Sequence, residues 1–367
     1  PGCLCSILAW LKENEKRNYD KIDSLFSMKD FLIYKMTGEK IAGYGCQSAS
    51  GLMDMRTGVF APELSSAYGI QEVISKFGRL CWDTEIAGNL LPEVAALFGC
   101  QEGIPVAAGS HDVVAAAVAM GVIDTEPCFI ITGTHGINGY ISEQPVLNRT
   151  IKNNELFAVP GKYLIEEGYP SSSGTIEWVI SALYQEESNN EHIYDIINEE
   201  VISVITQNDD LLFMPFLRGN RDNSFATGSW IGLKPYHARA HLAKAVYEGV
   251  AFSHLMQTEH LFANRKKPLV IKVAGGATAS NVWMQIFADV FACKLEVVQD
   301  DEMGTKGAAI IAATAVGLYG TLEEAVLRMS KPGKIIEPNM DMHKIYAKKY
   351  EEFKKAVMAL DPLWIKK

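Results

Sequence analysis

The spacing of apolar residues along this chain changes several times, and each change predicts an element. Leu4, Ile7, Leu8, Trp10 and Leu11 recur at helical spacing. Ile22, Leu25, Phe26, Phe31, Leu32 and Tyr34 keep that spacing over residues 19–36, and Gly38 follows as a stop, so one helix is expected there. Beyond Gly43 the chain turns polar and glycine-rich, with short helical segments expected at 72–77 and 93–98. Residues 104–108 read as a short apolar strand. They lead through Gly109-Ser-His-Asp112 into a small-residue helix over 113–120. The next unit is a strand at 128–132, the turn Gly133-Thr-His-Gly136 and a second β-rich run at 137–141, which together read as a hairpin.

Alternation continues to the end. Strands are expected at 156–159, 163–166, 211–214, 269–273 and 295–298. Helices are expected at 175–184, 192–206, 238–262, 281–291, 305–316 and 322–328. In the closing helix Tyr346, Tyr350, Phe353 and Val357 form one stripe, with Lys and Glu opposite. Strands alternating with helices argue α/β layers. The chain's 367 residues predict two domains, or three, and the break falls near 121–126, dividing the chain into 1–122 and 123–367.

Composition narrows the function. With 48% hydrophobic and 21% charged residues, disordered, collagen-like and coiled-coil classes are excluded. The net charge of −10 argues against nucleic acid held on a broad basic face. A phosphate ligand would therefore be held locally, by backbone amides, helix ends and a metal ion. No apolar run reaches the ~18 residues of a membrane span, so no membrane partner is expected. The seven cysteines include no Cys-x-x-Cys pair, which disfavours a disulfide framework or zinc ribbon and fits reduced thiols in the cytoplasm. Asn148-Arg149-Thr150 spells a glycosylation acceptor and is read as chance. The chain opens at Pro1 and is already amphipathic by Leu4, so a preceding portion is expected to be missing.

Three glycine corners carry candidate phosphate chemistry. Gly133-Thr134-His135-Gly136 offers backbone N–H groups and a hydroxyl at a hairpin tip. Gly275-Gly276-Ala277 lies between a strand and a helix, an arrangement that suits a nucleotide. Gly174 precedes the helix that contains Trp178. Each alone is also ordinary loop geometry. Neither Gly-x-Gly-x-x-Gly nor the Walker phosphate loop is present. Asp112, at a strand-to-helix turn, is the candidate acid/base, and the competing reading is a helix N-cap. His111 beside it is a candidate substrate contact. His237, His241, His254 and His260 lack a His-Glu-x-x-His frame, so no metal-ligating residue is named. There is no Gly-x-Ser-x-Gly elbow for serine chemistry.

Taken together the motifs resemble those of the FGGY family of carbohydrate kinases, across nearly the whole chain. Gly228-Ser-Trp-Ile-Gly-Leu233, a seven-residue gap and His241-Leu-Ala-Lys-Ala-Val-Tyr-Glu248 resemble the family's second signature. Phe213-Met-Pro-Phe-Leu-Arg-Gly219, Ala274-Gly-Gly-Ala277 with Trp283-Met-Gln285 and Ala288-Asp289, and Gly304-Thr-Lys-Gly-Ala-Ala309 resemble further family segments. Near the start, Trp10-Leu-Lys-Glu-Asn14 and Asp30-Phe-Leu-Ile-Tyr-Lys-Met-Thr-Gly38 do the same, although Ile7 stands where many members have lysine.

The resemblance implies an actin-like (ribonuclease H-like) ATPase fold of α/β class with two lobes, the first incomplete. Residues 1–122 would be the remainder of the N-terminal domain and 123–367 the C-terminal domain. The opening phosphate hairpin, Asp-x-Gly-Thr-Thr-x-x-Arg, would belong to the missing portion. Asp112 would be the catalytic base. Gly133 and Thr134 would form the second phosphate hairpin, and Gly174, Gly275, Gly276, Ser280 and Asn281 the adenine-nucleotide side. ATP and Mg2+ are the implied cofactors, a small sugar the implied partner, and dimers are common in the family, so a homodimer is open. Closure of one domain on the other would exclude water.

Tyr169-Pro-Ser-Ser-Ser-Gly-Thr-Ile-Glu-Trp178, His237-Ala-Arg-Ala-His241 and Ala251-Phe-Ser-His254 look most like the xylulose and L-xylulose kinase branch. The expected reaction is phosphorylation of a ketopentose, L- or D-xylulose. The alternatives are a kinase of glycerol, erythritol, gluconate or ribulose, or a truncated non-catalytic nucleotide- or sugar-binding module.

Overall fold

The computed structural model describes residues 3–147, 151, 153–263, 265–299 and 302–365; Asn148-Arg149-Thr150 lies outside them. Two compact units interleave along the chain. The first comprises Pro1–Thr125, Ile141–Ile165 and Glu302–Lys331, and the second Glu126–Tyr140, Glu166–Asp301 and Pro332–Lys367. Among the described residues no helix is long and apolar enough to cross a membrane.

In the first unit the helix Leu4–Asn14 buries Cys5 and Leu8 against Tyr19, Leu52, Ile70 and Val73. The helix expected over 19–36 is instead two, Lys16–Tyr19 and Met28–Thr37. Between them Leu25 bridges to Phe77 and its N–H donates to Lys76 O at 2.9 Å. Ser27 then caps the second helix, its hydroxyl accepting the Asp30 N–H at 3.2 Å. That helix stops at Gly38, with φ +77°, as expected.

The strand Ile41–Gly43 pairs in parallel with Arg79–Cys81, and Ile86–Asn89 pairs antiparallel with Pro105–Ala107. Ile33, Ile41, Cys81, Ala87 and Ala108 form a buried cluster on which these elements meet. Helix Asp112–Ala119 is apolar on most sides and packs on Met303–Ala315. A Cβ at Gly307 would lie 1.8 Å from Ala115 O, so this crossing admits only glycine there.

The second unit is built on a sheet whose centre is three parallel strands, Lys294–Val297, Val270–Gly275 and Cys128–Thr132. Lys334–Ile336 lies antiparallel at one edge. On the other side Gly136–Ser142 folds back antiparallel on Cys128–Thr132, as the hairpin pattern predicts, and Tyr163–Tyr169 follows. The strand expected at 156–159 lies earlier, at Asn153–Leu156. The helices Thr175–Leu183, Ile193–Val204, Arg239–Phe262 and Asn281–Phe291 fall within a few residues of their expected bounds.

Arg239–Phe262 is buried on nearly every side, which admits charges only where they are matched. Lys244 Nζ meets Asp209 Oδ2 at 2.9 Å, and Lys349 Nζ, from the closing helix Met340–Leu360, meets Glu248 Oε2 at 2.6 Å and Asp209 Oδ1 at 3.3 Å. All four side chains are buried. Two residues of the second signature, Lys244 and Glu248, thus serve as members of a buried ion cluster.

Candidate active site

In the first unit the chain leaves Pro105–Ala107, turns at Gly109 (φ +68°) and enters the helix Asp112–Ala119. The N-cap position is taken by His111, and Asp112 is the first helical residue. Asp112 Oδ1 accepts the Val113 N–H at 2.8 Å and lies 3.2 Å from His111 Nε2. The Asp112 side chain is 85% exposed, so Oδ2 remains accessible for proton transfer. On its other side His111 Nδ1 lies 3.1 Å from Glu155 Oε2, a carboxylate that is nearly buried.

Residues remote in sequence brace this turn. Ser110 Oγ donates to Asp83 Oδ2 at 2.5 Å, and burial pushes the Asp83 carboxyl up to about 6, the serine hydrogen bond opposing. Lys29 Nζ donates to Ala108 O and to Asp30 Oδ1, both at 2.7 Å. Asp30 Oδ2 in turn accepts the Gly43 N–H at 3.2 Å and Gln47 Nε2 at 3.3 Å. Asp83, Glu155 and Lys29 were not singled out from sequence; no local pattern marks them.

In the second unit the glycine corners come together. Gly174 N–H donates to Gly133 O at 3.4 Å and Ser172 N–H to Thr134 O at 3.2 Å. Ser173 Oγ lies 2.7 Å from Thr132 O and 3.0 Å from Gly133 O. At Gly275, φ is +104°, and a Cβ would fall 2.5 Å from Thr132 O. Gly275 therefore has two reasons to be glycine, one in its own backbone and one in its neighbour. Gly276 has room, with its nearest contact at 3.8 Å from Ser173 Oγ.

Beneath the hairpin His254 is fully buried between Ser172 Oγ (2.8 Å) and Asn138 Oδ1 (2.7 Å). Burial drives its pKa down to about 3, so the ring is neutral. His254 is a packed core residue.

Beside Gly276 opens a cavity of about 350 Å³ lined by Ser173, Tyr194, Asp195, Asn198, Tyr247 and Trp283, among others. That volume suits a nucleoside. Tyr247 stacks on Trp283 with ring centroids 4.1 Å apart. Ser280 lines the cavity and caps the following helix, its hydroxyl accepting the Trp283 N–H at 3.1 Å. Asn281 does not line it; its Oδ1 accepts from Lys334 Nζ at 2.7 Å. A second cavity, of about 250 Å³, touches Thr134 and Gly174 and is lined also by Trp178 and Arg218, another cation that sequence reasoning passed over. Among the described residues no three His, Cys, Asp or Glu groups are placed to hold a metal. All seven cysteines are free thiols.

Comparison with known proteins shows which family the chain belongs to. The L-xylulose/3-keto-L-gulonate kinase of Escherichia coli (strain K12) is 32% identical over 366 residues, covering 97% of this chain and 70% of that protein. A probable L-xylulose kinase of Pasteurella multocida (strain Pm70) is 30% identical over 359 residues, covering 97% of this chain and 71% of that one. The crystal structure of a ligand-bound xylulose kinase from Lactobacillus acidophilus superposes with a TM-score of 0.91 at 22% identity, covering 99% of this chain and 73% of that one. The fold is thus the expected actin-like α/β fold. Residues 1–119 match the N-terminal domain and residues 128–316 the C-terminal domain of one family, so that the N-terminal domain is present in this chain. With both domains matched and relatives at 30% identity or more over most of their length, the chain belongs to the FGGY family of carbohydrate kinases.

Proposed function

We propose that this kinase transfers the γ-phosphoryl group of ATP to the terminal hydroxyl of a ketopentose, L- or D-xylulose. The observation that carries the reading is the convergence of Gly133, Thr134, Gly174, Gly275 and Gly276 beside a nucleoside-sized cavity. The names of the relatives at 30–32% identity support the sugar.

Asp112 is the proposed base. With Oδ1 held by Val113 N–H and near His111, Oδ2 takes the proton of the substrate hydroxyl. The hydroxyl oxygen then forms its bond to the γ-phosphorus as the bond from that phosphorus to the β–γ bridging oxygen breaks, and ADP leaves. His111, about one-third exposed, is the proposed sugar contact. The Thr134 backbone amide and hydroxyl are the proposed donors to the developing phosphate charge; the Gly133 N–H is turned inward to His135 O at 3.2 Å, so Gly133 serves the shape of the hairpin.

Magnesium would arrive with the triphosphate, and the Thr134 hydroxyl would be a protein oxygen near it. When bound, it offsets phosphate charge. A cytoplasmic setting suits both ATP and seven free thiols.

The test is a coupled ADP-release assay over L-xylulose, D-xylulose, L-ribulose, glycerol, erythritol and gluconate. The xylulose isomers should give the highest kcat/KM. Asp112→Asn should lower kcat by about 10²–10⁴-fold while ADP affinity stays within about twofold. ADP release that no sugar raises would refute the kinase, and a faster reaction with glycerol or gluconate would refute the substrate.

A further inference from the structure

The cavity beside Gly276 contains a side chain whose orientation is set by the protein alone. Asn198 Oδ1 accepts two hydroxyl protons, from Ser280 Oγ at 2.6 Å and from Tyr247 Oη at 2.9 Å. Ser280 is itself oriented, because its oxygen already accepts the Trp283 N–H. Tyr247 is held by its stack on Trp283, whose Nε1 donates to Tyr247 O at 3.0 Å. Both lone pairs of the Asn198 carbonyl are thereby used, and Nδ2 has no partner among the described residues. Asn198 is half-buried and lines the cavity, so it presents a fixed donor to whatever binds there.

One turn earlier on the same helix, Ile193–Val204, stands Asp195, which also lines the cavity. Residues three apart share a helix face. Asp195 Oδ2 lies 3.4 Å from His192 Nδ1, which leaves Oδ1 as an acceptor. The helix thus offers an acceptor and a donor side by side. Adenine has the complementary edge, an exocyclic amine beside a ring-nitrogen acceptor. Guanine and hypoxanthine place a carbonyl oxygen where the amine would be, against the carboxylate.

We infer that Asn198 and Asp195 read the nucleotide base, with Ser280 and Tyr247 as positioning residues that lock Asn198 as a donor, and that the pair makes the kinase select adenine over 6-oxopurine nucleotides. This rests on the reading of the cavity as the nucleoside side of the ATP site. It gives Ser280 a different task from a direct nucleotide contact. An amide held this way cannot turn over to serve a 6-oxo base without breaking both hydroxyl hydrogen bonds, which is how the selectivity is enforced.

The experiment is calorimetric binding of ADP, IDP and GDP to the full chain, without sugar, so that turnover does not enter. Wild type should bind ADP more tightly than IDP or GDP. Asn198→Ala should weaken ADP by roughly three- to tenfold, the worth of one hydrogen bond to a neutral acceptor. Asp195→Asn should narrow the ADP-to-IDP ratio by about the same factor, an effect that loss of packing alone would not produce. Tyr247→Phe keeps the stack on Trp283 but releases one lone pair of Asn198. It should also narrow that ratio, and it decides the matter if Asn198→Ala does not fold by circular dichroism. ADP affinity within twofold of wild type in a folded Asn198→Ala, or an unchanged ratio in Asp195→Asn or Tyr247→Phe, overturns the inference and leaves the kinase standing. Wild type that binds no ADP overturns both.

Discussion

Adjacent glycines at the nucleotide corner should respond very differently to a single methyl group. Gly275 has φ +104° and ψ −178°, a region that only glycine occupies comfortably, so alanine there carries about 1–3 kcal/mol of backbone strain. Its Cβ would also sit 2.5 Å from Thr132 O and 2.7 Å from Thr132 C, both backbone atoms. Ordinary contact begins near 3.4 Å, so the two strands must part by about 0.9 Å, at about 1–3 kcal/mol more. The total is about 2–6 kcal/mol. For a unit of this size each kcal/mol lowers Tm by about 2–4 °C, so Gly275→Ala should melt roughly 4–24 °C below wild type in differential scanning calorimetry.

Thr132 leads directly into Gly133 and Thr134, so the same displacement moves the hairpin proposed to hold phosphate. Misplacement by about 1 Å can cost about 10²-fold in turnover, and kcat should fall by that order. Gly276→Ala is the control, because its Cβ meets nothing closer than 3.8 Å. It should leave Tm within about 2 °C and change KM for ATP more than kcat, since it only narrows the cavity. Equal Tm values for Gly275→Ala and Gly276→Ala would show that the contact with Thr132 does not govern this corner.

Two stability predictions follow from buried charge. Lys349→Met leaves the carboxylates of Glu248 and Asp209 with only Lys244 between them and should destabilise by about 3–5 kcal/mol in urea denaturation; a loss below 1 kcal/mol would contradict a matched cluster. Asp209 adds a pH signature: burial raises its pKa, but the Lys349 and Lys244 ammonium groups outweigh that and the net value is lowered. Its contribution is therefore present at neutral pH and lost as pH falls through the lowered value, below the ordinary 3.8. Asp83 has the opposite sign. Its carboxyl is raised from 3.8 to about 6, so the folded state holds the proton more tightly, and stability falls as pH rises between those values. At about 1.4 kcal/mol per pKa unit the penalty above pH 6 is about 3 kcal/mol. Asp83→Asn, which keeps an acceptor for Ser110, should stabilise by roughly that amount at pH 8 and hardly at all at pH 4. The same change at both pH values would exclude a raised pKa as the cause.

Features that depend on local chemistry were legible in the sequence. The hairpin around Gly133-Thr134-His135-Gly136, the cap at Gly38 and the corner at Gly275 each need a particular residue for a particular backbone reason, and each was found where its pattern placed it. The helix expected across 19–36 was divided because Leu25 pairs with Phe77, a contact 52 residues away that outweighs helical spacing. Strands Ser229–Ile231 and Lys334–Ile336 are three residues each, too short for an alternating pattern to register. The site divides in the same way. The glycines were readable, whereas Asn198 meets Ser280 across 82 residues, and Lys29 meets Ala108 O across 79. Nothing near those positions in the sequence announces the meeting.

The interleaving of the two units has a consequence for biosynthesis. The helix Asp112–Ala119 lacks the surface it packs on until Met303–Ala315 has been translated, because Gly307 belongs against Ala115. A ribosome will have released most of the second unit before the first receives its final helices, through Lys331. The apolar face of 113–119 therefore stays uncovered during elongation, and a nascent chain halted anywhere between residues 126 and 301 is a natural client for a chaperone.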